Sequence, residues 1–148
     1  MVIGIFGESC TGKSTLAQCL HEILGGEIYT GKDYLRLHRQ ESEARKAFEK
    51  LLRETDATVI YVMTELELLS MLPEHALRVL VTAQLPEIKA RFAARMGGNL
   101  PPPVAAMLEK KHGMFDSERY DYHWNSSETC LEEACAAILQ KAHVKEDW

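Results

Sequence analysis

The sequence carries no excess of positive charge: 17 lysines and arginines stand against 22 aspartates and glutamates, for a net charge of −5. A broad nucleic-acid surface needs a basic footprint, so the balance argues against that partner and leaves room only for a local basic groove. No apolar stretch approaches the roughly 20 residues that a membrane helix requires. The apolar run Met1–Phe6 is too short for the hydrophobic region of a secretory leader. Cysteine is scarce. Cys10, Cys19, Cys130 and Cys135 form no C-x-x-C pair, which argues against a zinc site or a disulfide framework. Together these absences predict a cytoplasmic protein with reduced thiols. There is no internal repeat, low-complexity tract or interdomain linker, and 148 residues predict one domain, 1–148, with a real core. The apolar fraction of 46% and charged fraction of 26% are those of an ordinary globular chain.

What is present starts with Gly7-Glu8-Ser9-Cys10-Thr11-Gly12-Lys13-Ser14, a full match to G-x-x-x-x-G-K-[ST]. The spacing has a physical reason. Two glycines let the loop curl so that backbone N–H groups face phosphate oxygens. Lys13 brings a charge to the β- and γ-phosphates, and the Ser14 hydroxyl can coordinate Mg²⁺. The flanks agree: Met1–Phe6 reads as a buried parallel strand. Leu16, Leu20, Ile23 and Leu24 recur at helical spacing, so a helix from Lys13 presents its positive end to the phosphates. ATP with Mg²⁺ is the expected ligand, and no Asn/Thr-Lys-x-Asp base-reading signature favours GTP. Cys10, at a helix N-terminus beside Lys13, sits where a thiol's pKa can fall, although a loop position tolerant of cysteine accounts for it as well.

Further along, Gly25-Gly26 stops the first helix, Glu27–Thr30 reads as a short strand, and Glu41–Arg53 as an amphipathic helix with Ala44, Ala47, Phe48, Leu51 and Leu52 on one stripe. Ala57–Met63 is β-branched and uninterrupted, a central strand. Glu65–Leu72 reads as a short helix, Leu77–Ala83 as a strand, and the chain from Pro86 to Met96 as a helix. Val104–Gly113 reads as a further helix. Alternation of Tyr120, Tyr122 and Trp124 predicts a last strand over Arg119–Trp124, and Ser126 or Ser127 is the expected cap of a closing helix. Strands alternating with helices predict a three-layer α/β fold of the P-loop NTPase type, with five parallel strands and helices on both faces. Ligands in such sheets lie beyond the carboxyl ends of the strands.

That rule nominates the remaining residues. Arg91 and Arg95 are four apart, on one helix face, and Gly97-Gly98-Asn99 with Pro101–Pro103 reads as the hinge of a lid around 91–115. The expected role is closing arginines over the transferring phosphate; the bland reading is a solvated face shared with Glu87 and Lys89. Asp33 and Arg36 follow the second strand. Asp33 is a candidate for the acceptor hydroxyl's proton and Arg36 for an acceptor phosphate, with a plain helix cap as the alternative for Asp33. Glu65 is a candidate for holding a Mg²⁺-bound water, or an ordinary first-turn glutamate.

On these residues the chain resembles the small P-loop kinases of the nucleoside-monophosphate-kinase group, and cytidylate-kinase-like proteins most. Gly7–Ser14 with Thr15 is similar to that group's opening G-x-x-x-x-G-K-S-T. Thr30-Gly31-Lys32-Asp33-Tyr34-Leu35-Arg36 resembles its monophosphate-binding segment, with Lys32 inserted. Asp116-Ser117-Glu118-Arg119-Tyr120-Asp121-Tyr122 resembles the Asp-x-x-Arg-x-x-Tyr stretch after the lid. The resemblance implies phosphoryl transfer from ATP to a small acceptor, with Asp116 and Arg119 helping to hold it. The acceptor is a nucleoside monophosphate or, as in shikimate- or gluconate-kinase-like relatives, a hydroxylated metabolite. A nucleotide-binding regulatory protein with little transferase activity is the alternative from another class. None of these patterns encodes the acceptor's identity or an oligomeric state.

Overall fold

The fold is that of a computed structural model, which describes residues 1–146, with side chains through 143. Five strands, β1 (Val2–Phe6), β2 (Glu27–Thr30), β3 (Val59–Met63), β4 (Leu77–Thr82) and β5 (Tyr122–Asn125), form one parallel sheet in the order β2-β3-β1-β4-β5. β1 is central, with Ile5 opposite Val62 on one side and Val79 on the other. The loop after β1 therefore emerges at the middle of the carboxyl rim. Every residue of β1 and β3 is buried, as the continuous apolar runs predict for strands covered on both faces.

Side chains alternate between two cores. On one face Ile3, Ile5, Ile60, Val62, Val79, Val81 and Trp124 pack against Leu16, Ala17 and Leu20 of α1 (Lys13–Leu24) and Ala134 and Ile138 of α5 (Leu131–Glu146). On the other, Phe6, Tyr29, Tyr61 and Met63 pack against Ala44, Phe48 and Leu52 of α2 (Glu41–Glu54). The Phe48 ring lies 4.8 Å from those of Tyr29 and Tyr61 and 5.8 Å from that of Tyr34. Its burial is worth about 3 kcal/mol, and the aromatic contacts fix the 3₁₀ turn Asp33–Leu37 against the sheet. α3 (Leu85–Arg95) and α4 (Pro102–Lys111) complete the chain and share a small core of Ile88, Leu108, Cys10 and Ala83. Among the described residues no helix is long and apolar enough to cross a membrane.

Several boundaries differ from the sequence reading; α4, for one, spans Pro102–Lys111 rather than Val104–Gly113. The segment after β3 is a 3₁₀ turn, Leu66–Met71, short enough to bury Leu68, Leu69 and Met71 before Pro73. The last strand starts at Tyr122: Tyr120 is exposed and packs its ring on His123, 5.6 Å away, because the Asp121 carboxylate accepts from the Arg78 N–H and enters the ladder there. α5 starts at Leu131, so Ser126 and Ser127 do not cap it. Ser127 Oγ instead accepts the Gln84 N–H at the start of α3.

Candidate active site

The loop between β1 and α1 is held from below. The Gly7 N–H donates to the Met63 carbonyl at 3.3 Å, and a Cβ on Gly7 would lie 2.1 Å from the Val81 carbonyl oxygen, so only glycine fits. Thr11 Oγ1 donates back to the Glu8 carbonyl at 2.9 Å. Cys10 (φ 62°) and Gly12 (φ 110°) both adopt left-handed backbone, a cost that persists where the surroundings impose it. The backbone N–H groups from Ser9 to Thr15 have no acceptor among the described residues. They lead into the α1 N-terminus, so the loop is a cluster of unsatisfied donors at a positive helix end, which suits an anion.

Lys13 is the charged side chain of this cradle. Only 6% of it is exposed, and Nζ donates to the Glu8 carbonyl. Burial pushes its pKa down to about 8, and the nearby Arg95 charge adds to the effect. Negative phosphate oxygens beside Nζ would oppose the shift by stabilising the charged form.

Arg91 and Arg95 stand on the rim side of α3. Arg91 Nη1 donates to the Cys10 carbonyl at 3.0 Å and to Ser126 Oγ at 3.2 Å, and Nη2 pairs with Glu87 at 3.0 Å. Arg95 is exposed and makes no hydrogen bond among the described residues. Both line a pocket of about 420 Å³ with Gly12, Thr15, Trp124 and Cys130. Ser126 Oγ donates to the Thr11 carbonyl at 2.6 Å, fastening the β5–α5 connection to the loop.

The chain leaving α4 returns to the same loop. The Glu8 carboxylate, 8% exposed, accepts the Gly113 N–H at 3.0 Å and faces His112 Nδ1 at 3.1 Å. Glu8, His112 and Asp116 line a second pocket, of about 320 Å³. Glu8 and Ser126 tie the loop to its surroundings, and sequence reasoning missed the tie. A variable loop position and a serine after a strand carry no signal of their partners.

On the β2 side, Asp33 Oδ2 accepts the Thr30 N–H at 2.9 Å, and the Arg36 guanidinium lies 4.6 Å from the Tyr29 ring centre. Tyr61 donates to the Gly31 carbonyl at 2.6 Å. Burial raises the Tyr61 pKa, with neighbouring Tyr34 and the Glu65 and Asp33 carboxylates adding to the rise. Asp33 and Glu65 thus flank one phenol beside the rim. Arg119 is elsewhere: it pairs with Glu74 at 3.2 Å, three residues before the amino end of β4, and the structure does not bring it to the loop.

Ser14 and Glu65 are exposed and offer oxygen atoms without a side-chain partner among the described residues. Mg²⁺ takes hard oxygen ligands and arrives with substrate phosphates and waters rather than in an all-protein cage. Each is an oxygen donor of the kind that ion takes, and no group of three or more His, Cys, Asp or Glu among the described residues forms a site by itself.

No family model matches the chain, and no curated protein matches it. Solved structures do. The YorR protein of Bacillus subtilis in complex with phosphorylated GDP shares 18% identity over 100% of this chain and 99% of its own, with a TM-score of 0.69. A gluconokinase from Sinorhizobium meliloti shares 17% over 99% and 94%, with a TM-score of 0.67. Shikimate kinase from Acinetobacter baumannii in complex with shikimate shares 16% over 97% and 93%, with a TM-score of 0.64. The five-stranded, three-layer α/β fold is thus one shared with P-loop small-molecule kinases.

Proposed function

We propose that the protein is a phosphotransferase that moves the γ-phosphoryl group of ATP to a hydroxyl on a small acceptor. The observation that carries this reading is the loop itself: unsatisfied N–H groups and a buried ammonium at one helix N-terminus, costs that a bound polyphosphate relieves. The N–H groups of the loop would hold the β- and γ-phosphates, and Lys13, fully charged once phosphate lies beside it, would stabilise charge developing on the transferred group. Arg95, without a hydrogen-bonded partner among the described residues, is the arginine that would reach the phosphates. Arg91 is held by the Cys10 carbonyl and Ser126 and would wall the nucleotide pocket. Ser14 and Glu65 would hold Mg²⁺, which when bound neutralises phosphate charge.

For the acceptor, Asp33 keeps Oδ1 available while Oδ2 fixes the turn, and it would take the hydroxyl proton. Arg36 is exposed and would meet an anionic group of the acceptor. Asp116 remains a candidate near the loop, whereas Arg119 is engaged with Glu74 and is not assigned to the acceptor. The absence of Arg119 from the rim weakens the cytidylate-kinase-like version of the acceptor and favours a hydroxylated metabolite over a nucleoside monophosphate. The same engagement of Arg119 supports a second reading, a nucleotide-binding regulator.

One experiment separates the two. Thermal unfolding is followed with ATP, GTP and Mg²⁺ crossed with nucleoside monophosphates and hydroxylated metabolites. A ligand at one hundred times its Kd stabilises by about 2.7 kcal/mol. Stabilisation by MgATP, a further rise with one acceptor, and ATP consumption that this acceptor accelerates is the expected result. Stabilisation with no acceptor effect supports the regulator, and no stabilisation by any triphosphate refutes both.

A further inference from the structure

On the sheet face opposite α2, two thiols from distant parts of the chain meet. Cys19 of α1 and Cys135 of α5 have their Sγ atoms 3.1 Å apart, about 1 Å more than a disulfide bond. Both cysteines are free, and the other two, Cys10 and Cys130, make no sulfur–sulfur contact among the described residues. Their surroundings differ. Cys135 is buried among Ala134, Ile138 and the α1 leucines. Cys19 is half-buried and lines an open groove of about 460 Å³ with Ser14, Thr15, Gln18, Glu22 and Leu131, so a small oxidant can reach one sulfur but not the other.

We infer that Cys19 and Cys135 are a redox modification site, closed to a disulfide by a small-molecule disulfide such as oxidised glutathione. The groove fixes the order. The Cys19 thiolate attacks the small disulfide, forming a mixed disulfide and releasing one thiolate. The Cys135 thiolate then attacks the Cys19 sulfur and expels the second. The protein loses two electrons and two protons; the oxidant gains the electrons and, as two thiols, the protons. Burial holds the Cys135 thiol at a pKa of about 12, so the second step is slow and the mixed disulfide at Cys19 accumulates first. The product braces α1, which carries Lys13 and Ser14, to α5, whose first residue, Leu131, walls the pocket lined by Gly12 and Arg95. The two cysteines are 116 residues apart, so the brace closes a long loop and constrains the unfolded chain strongly. This inference is independent of the proposed phosphotransfer.

The test equilibrates the purified full chain with oxidised glutathione, then counts thiols, maps disulfides by peptide mass spectrometry and records unfolding. The expected result is loss of two of the four thiols, a Cys19–Cys135 bond and a Tm higher by roughly 5–15 °C, all reversed by dithiothreitol. Cys19→Ser forms no bond, and Cys135→Ser stops as a glutathione adduct on Cys19. Cys135→Ala serves the same purpose if the serine variant unfolds. Four thiols surviving, a bond mapped to Cys10 or Cys130, or an unchanged or lower Tm overturns the assignment.

Discussion

Replacing Lys13 by methionine separates what the lysine does for the fold from what it does for a ligand. The side chain is buried, and its pKa falls from 10.5 to about 8. At about 1.4 kcal/mol per pH unit, holding the ammonium charged at pH 7 costs the empty protein about 3 kcal/mol. Methionine fills nearly the same space without the charge but loses the hydrogen bond to the Glu8 carbonyl, worth about 1–2 kcal/mol. Lys13→Met is therefore expected to be more stable than the parent by about 1–2 kcal/mol at pH 7, a Tm rise of roughly 3–6 °C, and to lose stabilisation by MgATP. The pH dependence follows from the direction of the shift. Between about pH 8 and 10.5 the unfolded parent binds more protons than the folded one, so parental stability rises through that window. The penalty is fully present below pH 8, and the gap to the variant narrows above it. Thermal unfolding at pH 7 and pH 9.5, with and without MgATP, checks each part. A less stable variant at pH 7, or a gap that does not change with pH, would refute the reasoning.

The two arginines of α3 are expected to behave differently. Arg91→Ala removes donors to the Cys10 carbonyl and Ser126 and costs about 1–2 kcal/mol of stability, whereas Arg95→Ala changes stability by less than about 0.5 kcal/mol and weakens ATP binding roughly tenfold, about 1.4 kcal/mol. Calorimetry of both variants tests the contrast, and equal Tm losses would contradict it. Glu8→Ala leaves the Gly113 N–H without its acceptor at about 1–3 kcal/mol, so amide exchange should quicken around residues 112–116 while β1 and β3 keep their protection. Phe48→Ala empties the aromatic cluster of Tyr29, Tyr34 and Tyr61 and should cost about 3–5 kcal/mol in urea unfolding.

Much of the fold was legible because local and global preferences agree. β1 and β3 are continuous apolar runs, β4 is one broken only by Arg78 before its closing Thr82, and α1 has glycines at both ends, so each element follows from a short window. The errors fall where a residue's partner is far away in sequence. Tyr120, Tyr122 and Trp124 alternate like a strand, but the ladder begins only where Asp121 reaches Arg78. Ser126 and Ser127 precede a helix and look like its caps, yet one fastens the phosphate loop and the other meets the start of α3. A hydroxyl has one reading in a sequence window and several in space. Arg119 likewise has a partner the window does not show: it stands three residues after Asp116, and its ion pair is with Glu74.

The loop from Gly7 to Thr15 stood out in the sequence for the opposite reason. Its rule-breaking is local: a left-handed cysteine, a glycine that no Cβ could replace, N–H groups without acceptors and a buried ammonium lie between Gly7 and Thr15. The left-handed cysteine and the buried ammonium are costs to the empty fold, of order 1–3 kcal/mol each. The two packed faces of the sheet can sustain them, but nothing in the packing needs them. A polyanion relieves the unpaired donors and the buried charge together, and no apolar or cationic ligand relieves either. That common relief supports the proposed phosphate site more firmly than any single residue of the acceptor side does.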